Sequence, residues 1–179
     1  YNANKTLTVG ALNQDSTFSG VISGDGSFAK TGSGILTLSG ANTYEGTTAI
    51  KGGTLTVSGS LNDSAAVIVS SGATYDVDST DIIGSIAGAG SVELAKGITL
   101  TAGGNNTSTI FSGDISGDGH FTKNGSGTFS ISSEKVFQLG GTTTVKAGTI
   151  DFGETSQVIS DLVVEKDAKA FNGNIALVK

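Results

Sequence analysis

Short segments in which apolar and polar residues alternate recur along the whole chain. The sequences TLTV at 54–57 and ITLT at 98–101 are typical, and Gly, Asn, Asp or Ser separates each segment from the next. Alternation places one face of a strand in a core and the other in solvent. Glycine supplies the positive φ angles that sharp corners need. Because no stretch has helical periodicity, the pattern predicts an all-β protein.

The chain contains a long internal repeat. The sequence FSGVISGDGSF at 18–28 recurs as FSGDISGDGHF at 111–121, an offset of 93 residues. Two inserted residues then move the offset to 95, so that GTTAIKGGTL at 46–55 matches GTTTVKAGTI at 141–150. Self-similarity at a fixed period is the signature of a repeat architecture. We therefore predict one continuous domain made of a first copy at 1–97 and an incomplete second copy at 98–179.

Two all-β architectures fit such strands. A sandwich needs hairpin turns between neighbouring strands, for which Asn124 and Gly125 are suitable residues. A parallel solenoid uses the same residues at its corners, with a rung of roughly 20 to 25 residues and therefore about four rungs in each copy. The regular repeat favours the solenoid.

The segment GDGSFAKTGSGILTLSGANTY at 24–44 resembles the autotransporter-associated β-strand repeat, and the GTTAIKGGTL element that follows matches the same family. The second copy departs from the pattern at 132–137, where SSEKVF replaces SGANTY. The resemblance implies a right-handed parallel β-helix. It also implies a passenger of Gram-negative type V secretion, found at the cell surface or secreted, outside the outer membrane.

Composition removes several classes of function. The chain has no Cys, which excludes disulfides, thiol nucleophiles and cysteine zinc sites. It is acidic, with a formal net charge of −6, and all ten basic residues are Lys, so nucleic acid is not an expected partner. No apolar run approaches the roughly 18 residues of a membrane span.

Few residues are candidates for chemistry. His120 is the one histidine, and the first copy has Ser27 at the matching position, so we interpret His120 as a tolerated substitution. Asp25 and Asp118 lie in Gly-flanked turns without the tandem nonapeptide of calcium-binding β-rolls. We therefore predict a non-catalytic protein with no metal or cofactor.

Four residues are candidates for surface contacts. Lys30 and Lys123 recur in both copies, and we expect each to form a surface ion pair with the preceding aspartate. Tyr44 and Phe137 lie where the copies diverge, which makes them candidates for a variable contact on an exposed loop. The phenylalanines that recur in register are expected to stack in the core; they are Phe18, Phe28, Phe111 and Phe121.

The sequence leaves several functions open. The leading hypothesis is a stalk or adhesion module that contacts host cells, extracellular matrix or neighbouring cells. A solenoid without end caps would instead self-associate into filaments. A secreted effector that binds a host receptor is a third possibility. A polysaccharide hydrolase is the fourth, and it would need two or more aspartates on adjacent rungs.

Overall fold

The computed structural model describes residues 5–132, 136–153, 157–171 and 175–177, whose regular secondary structure consists of 21 β-strands. Every pairing between these strands is parallel. Parallel pairing of successive rungs defines a β-solenoid, which confirms the predicted fold class. The sandwich is excluded because it requires antiparallel strands.

The strands form three faces that run along the solenoid. Face 1 consists of β1 (Thr6–Val9), β3 (Ser27–Lys30), β5 (Thr48–Ile50), β7 (Ala66–Val69), β10 (Ser85–Gly88), β13 (Thr109–Phe111), β16 (Thr128–Ile131), β18 (Thr149–Asp151) and β20 (Lys169–Phe171). Face 2 consists of β2 (Ser16–Phe18), β4 (Ile35–Leu38), β6 (Gly53–Val57), β8 (Ala73–Val77), β11 (Ser91–Leu94), β14 (Asp114–Gly117), the first parts of β17 (Phe137–Val145) and β19 (Gln157–Val164), and β21 (Ile175–Leu177). Face 3 consists of β9 (Asp81–Ile83), β12 (Thr99–Ala102), β15 (His120–Lys123) and the second parts of β17 and β19.

The rungs vary in length. One turn takes 17 residues between Thr74 and Ser91 but 23 between Gly88 and Phe111. The nine strands of face 1 are separated by eight turns, which at the usual strand spacing of about 4.8 Å gives a stack roughly 38 Å high. The prediction of 20 to 25 residues per rung is therefore close, although some rungs are shorter.

Inward-facing side chains form one continuous core along the stack. In β8, Tyr75 and Val77 are fully buried, whereas Thr74 and Asp76 point outward. The same alternation in the other rungs produces a single cluster of buried aliphatic and aromatic residues. The alternation predicted from the sequence thus places the core correctly.

The backbone conformation repeats with the sequence. Residues with positive φ recur at the offsets of 93 and 95, including the non-glycine residues Asn13 (58°) and Asn106 (62°). Gly72 (79°) is matched by Asp167 (70°), an L-residue held in the same left-handed conformation. Corners of the same shape therefore recur in the two halves.

Matching segments do not lie on the same face. Phe28 is in β3 on face 1, whereas its equivalent Phe121 is in β15 on face 3. Four turns separate β3 from β13, and the chain then crosses two further faces to reach β15. One repeat thus occupies about four and two-thirds turns rather than the predicted four, and it rotates each motif to a different side of the solenoid.

Candidate functional site: lysine corners and an open groove

The first recurrent site is a corner at the end of β3 built on Lys30. Lys30 occupies an inward position, paired with Val9 on one side and Ile50 on the other, and its side chain is only 1% exposed. Its ammonium group donates hydrogen bonds to the carbonyls of Thr31 (2.8 Å), Gly32 (3.1 Å) and Gly52 (3.1 Å). Because a lysine ammonium has three protons, these acceptors saturate it. We call this arrangement the first lysine corner.

The second lysine corner, built on Lys123, has the same geometry. Lys123 lies between Ala102 and Val145, is 2% exposed, and donates to the carbonyls of Asn124 (2.6 Å), Gly125 (2.8 Å) and Ala147 (3.3 Å). Burial lowers the pKa of both ammonium groups, and for Lys30 the charge of Asp15 opposes that effect. Each corner ties two successive rungs together through one side chain.

Asparagine and glycine complete each corner. Asn13 Oδ1 accepts a hydrogen bond from the Ser33 amide, and Asn106 Oδ1 accepts one from the Ser126 amide, each at 2.9 Å. A side chain at Gly32 (φ +68°) would place its Cβ 2.1 Å from the Gly10 carbonyl oxygen. The corner therefore needs glycine for both its conformation and its close approach to the preceding rung.

The predicted surface roles of Lys30 and Lys123 are wrong. Both side chains are buried in the core, and their ammonium groups donate hydrogen bonds to backbone carbonyls rather than to aspartates. The pattern of apolar and polar residues assigns lysine to the solvent face, but a long apolar stem allows the side chain to cross the core edge and place its charge at a ring of carbonyls.

The predicted exposure of Tyr44 and Phe137 is also wrong, because both side chains are fully buried. The Tyr44 ring centroid lies 5.8 Å from that of Phe28, and the Phe137 centroid lies 5.9 Å from that of Phe121. Each ring thus packs on the recurrent phenylalanine of its own copy, and three residues of the divergent segment, 133–135, lie outside the described residues. Among the recurrent phenylalanines, Phe18 on the first rung is the exception to burial, at 44% exposed.

His120 replaces Ser27 in one specific contact. In the first copy Ser27 Oγ accepts a hydrogen bond from the Thr47 amide (3.2 Å), and in the second His120 Nδ1 accepts one from the equivalent Thr142 amide (2.8 Å). The substitution therefore preserves an acceptor for the next rung, in line with its interpretation as a tolerated change.

Buried polar groups line the inside of face 3. Asn42 Oδ1 accepts a hydrogen bond from the Ile22 amide at 3.0 Å, and its Nδ2 group donates to backbone carbonyls of its own and the next rung. Two rungs further on, Asp81 is 4% exposed and accepts hydrogen bonds from the amides of Leu61 and Ile82, each at 3.0 Å. Desolvation raises the pKa of the Asp81 carboxyl from its ordinary 3.8 to about 6. Sequence reasoning missed both residues, because an isolated Asn or Asp between strands is typical of an exposed turn.

A wide groove lies on the outside of face 2. Its volume is about 410 Å³, and its polar lining comes from Ser116, Asp118, Gln138 and Ser160 on three successive rungs. Residue 140 in the lining of this groove is glycine, and a Cβ there would lie 2.6 Å from Asp118 Oδ1. In the first copy the equivalent of Gly140 is an exposed glutamate, Glu45. At this position of the groove the second copy thus departs from the first.

A carboxylate pair lies elsewhere on the outside of face 2. Asp76 of β8 is in register with Glu93 of β11 and accepts a hydrogen bond from Thr56 Oγ1 at 2.9 Å. Partial desolvation is the main cause of the raised pKa of Asp76, and the charges of Asp78 and Glu93 add to it. Among the described residues, no group of three or more His, Cys, Asp or Glu side chains is arranged to hold a metal ion. The same residues include no helix that is long and apolar enough to cross a membrane.

The fold and the site thus define a class of protein: a parallel β-solenoid in which buried lysine corners recur. The passenger-associated-transport-repeat family matches the chain twice, at residues 28–57 and 121–151, and each match includes the buried lysine of one corner. The chain therefore carries autotransporter passenger repeats, which confirms the resemblance found in the sequence. No curated protein and no solved structure matches the chain.

Proposed function

We propose that this chain is a segment of an autotransporter passenger that acts at the cell surface or after secretion as a non-catalytic stalk and adhesion module. The observation that carries the proposal is the pair of passenger repeats within one continuous parallel core. A rod held by stacked rungs keeps its shape over a long distance, and it presents flat faces to other molecules.

The groove on face 2 is the contact surface that we propose for adhesion. Hydroxyl, amide and carboxylate groups from three rungs converge there, and such groups bind a polar partner through several hydrogen bonds. Gly140 and Asp118 are among the residues that line it. The expected partners are host cell surfaces, extracellular matrix or neighbouring cells.

A binding assay with a groove-filling variant tests this function. The purified chain, immobilised on beads, is incubated with cultured host cells, matrix proteins and bacterial cells. Gly140→Glu restores the residue type of the first copy and should lower binding at least tenfold. Thr37→Glu adds the same charge on face 2 outside the groove and should bind as the wild type does. Absence of wild-type binding to all three targets would refute adhesion, whereas equal binding by both variants would refute the groove alone.

A polysaccharide hydrolase is the second candidate, favoured by the carboxylate pair of Asp76 and Glu93. Glycosidases use two carboxylates, one of them with a raised pKa. The pair consists of one aspartate and one glutamate and lies outside the groove, so we retain the non-catalytic proposal. Release of reducing ends from a panel of bacterial and host polysaccharides, abolished by Glu93→Gln, would overturn it.

A further inference from the structure

The lining of the groove on face 2 consists of outward positions on three rungs. Ser116 of β14 is in register with Gln138 of β17 on the next rung. Asp118 and Gly140 lie two residues further along these two rungs, and a Cβ on Gly140 would lie 2.6 Å from Asp118 Oδ1. Ser160 of the following rung completes the polar lining. Polar groups from rungs stacked about 4.8 Å apart thus face one hollow.

These polar groups have hydrogen-bonding capacity for a ligand. The side chains of Asp118 and Gln138 are exposed, and Ser116 is half-buried. Within the described part of the chain, no residue forms a hydrogen bond with any of these three side chains. Ser160 Oγ donates to the Leu139 carbonyl at 2.7 Å, which leaves its oxygen as an acceptor. Since an amide and a free hydroxyl also donate, the lining offers donors and acceptors side by side.

The region around the groove is negatively charged. Asp118 is the one charged residue in the lining that the structure describes. On the two preceding rungs the outward row continues as Glu93, in register with Ser116, and as Asp76, in register with Glu93. Like charges that meet across an interface cost free energy. A sulfated, sialylated or phosphorylated ligand is therefore repelled, and the described lining contains no lysine to balance its charge.

The size and chemistry of the groove favour a small polar ligand over a protein or a cation. Its volume of about 410 Å³ lies within the range of small-ligand sites, roughly 300 to 1,000 Å³. Protein interfaces rely on exposed aromatic or Arg anchors, whereas Leu139, the apolar side chain of the described lining, is 1% exposed. A cation needs acceptors alone, but the Gln138 amide also presents donors. Sugar hydroxyls both donate and accept, so they match this set.

We propose that the groove on face 2 binds a neutral, hydroxyl-rich oligosaccharide. The inference rests on the proposed adhesion function and names the class of molecule that the groove contacts on its target. The Asp118 carboxylate accepts hydrogen bonds from neighbouring sugar hydroxyls, and such charge-assisted bonds are strong. The Gln138 amide and the serine hydroxyls bond further hydroxyls of the same ligand. Glycine at residue 140 keeps the space beside the carboxylate free of a side chain.

An array of immobilised oligosaccharides tests the class of ligand. The labelled full chain is applied to neutral oligosaccharides of glucose, galactose, mannose and N-acetylglucosamine, to their sulfated or sialylated derivatives, and to an oligolysine peptide. We expect binding to at least one neutral oligosaccharide and at least tenfold weaker binding to its charged derivatives. Absence of binding to every neutral oligosaccharide, or stronger binding to the charged derivatives or to oligolysine, would overturn the proposal.

Matched variants in the two copies locate the site. Asp118→Asn and Gln138→Ala should each weaken binding of the best neutral oligosaccharide at least fivefold in isothermal titration calorimetry. Asp25→Asn and Thr43→Ala change the equivalent positions of the first copy, where Glu45 stands in place of the glycine, and they should bind as the wild type does. All four substituted residues are exposed, and circular dichroism verifies that each variant is folded. Equal losses from the two copies would refute the groove as the site.

Periodate treatment of the target separates this proposal from the adhesion function. Periodate cleaves the vicinal diols of sugars, so binding of the wild type to treated cells should fall at least tenfold. Cell binding that Gly140→Glu abolishes but periodate leaves unchanged would refute the sugar ligand and leave adhesion standing. Binding to neutral oligosaccharides on the array without binding to any cell or matrix target would refute adhesion and leave the sugar site standing.

Discussion

Removal of the buried ammonium groups is the sharpest test of what the repeat does. In the variant Lys30→Met, a side chain of similar length keeps the contacts of the stem, but the three carbonyls lose the ammonium donor that they share. We expect the free energy of unfolding to fall, and Lys123→Met to behave in the same way.

The magnitude follows from two opposing contributions. A hydrogen bond to a charged group contributes about 1.5 to 3 kcal/mol, and each corner has three. Burial of an ammonium ion costs several kcal/mol, which methionine avoids. The net loss should therefore be about 2 kcal/mol for each corner. The corners are roughly 20 Å apart along the stack, so the losses should add in the double variant to about 4 kcal/mol.

Equilibrium unfolding in guanidinium, followed by far-ultraviolet circular dichroism, measures these losses. Lys51 and Lys146 provide the matched control, because they also recur in both copies but are exposed. Lys51→Met and Lys146→Met should change the free energy of unfolding by less than about 0.5 kcal/mol. If Lys30→Met were no more destabilising than Lys51→Met, the argument that the corner braces two rungs would be refuted.

Three further predictions concern buried groups and corners. Asp81 has a raised pKa, so the folded state binds the carboxyl proton more tightly than the unfolded state does. The contribution of this group to the free energy of unfolding is therefore full below pH 3.8 and is lost as pH rises through about 6. The change is about 3 kcal/mol. Asp81→Asn should therefore reduce the fall in the free energy of unfolding between pH 4 and pH 7, and an unchanged pH profile would contradict this. No described residue forms a hydrogen bond with the buried Tyr75 hydroxyl, so Tyr75→Phe should stabilise by about 1 kcal/mol. Tyr44→Phe removes a 2.6 Å hydrogen bond to Thr48 and should destabilise, and denaturant unfolding measures both changes. Gly32→Ala should lower the free energy of unfolding by at least about 3 kcal/mol, because the new Cβ would meet the backbone of the preceding rung. Gly97 also has a positive φ but open space around it, so Gly97→Ala should cost only about 1 to 2 kcal/mol. Equal losses of stability in thermal melts would refute the steric argument.

The sequence predicts the solenoid well because its determinants are local and periodic. Alternation in segments such as 54–57 specifies which side chains face the core, and positive-φ corners recur wherever glycine or asparagine recurs. The sequence does not predict in the same way on which face of the solenoid each copy of a motif lies. The number of residues in a turn varies between 17 and 23. The face on which a motif lies depends on the combined length of all the turns before it.

The candidate site was predicted less well, for a different physical reason. Lys30 and Lys123 recur conspicuously, but assignment of lysine to the surface ignores the gain from three backbone acceptors at a tight glycine corner. Divergence between the copies near Tyr44 and Phe137 suggests exposure, whereas both aromatic side chains are buried in the core. The groove is lined by residues of three rungs, and a pattern of apolar and polar positions gives no signal for a concave surface between outward-facing side chains.

The rotation of the motif separates structural features from candidates for contact. The two lysine corners end strands on different faces, so a ligand bound to one corner would face a different side of the rod from a ligand bound to the other. A brace between neighbouring rungs works equally well on any face, because it depends only on the rung beneath it. Recurrence at rotated positions therefore favours a structural role for the corners. A contact surface is better sought where the copies differ, and the replacement of Glu45 by Gly140 is such a difference, since Gly140 lies in the lining of a polar groove.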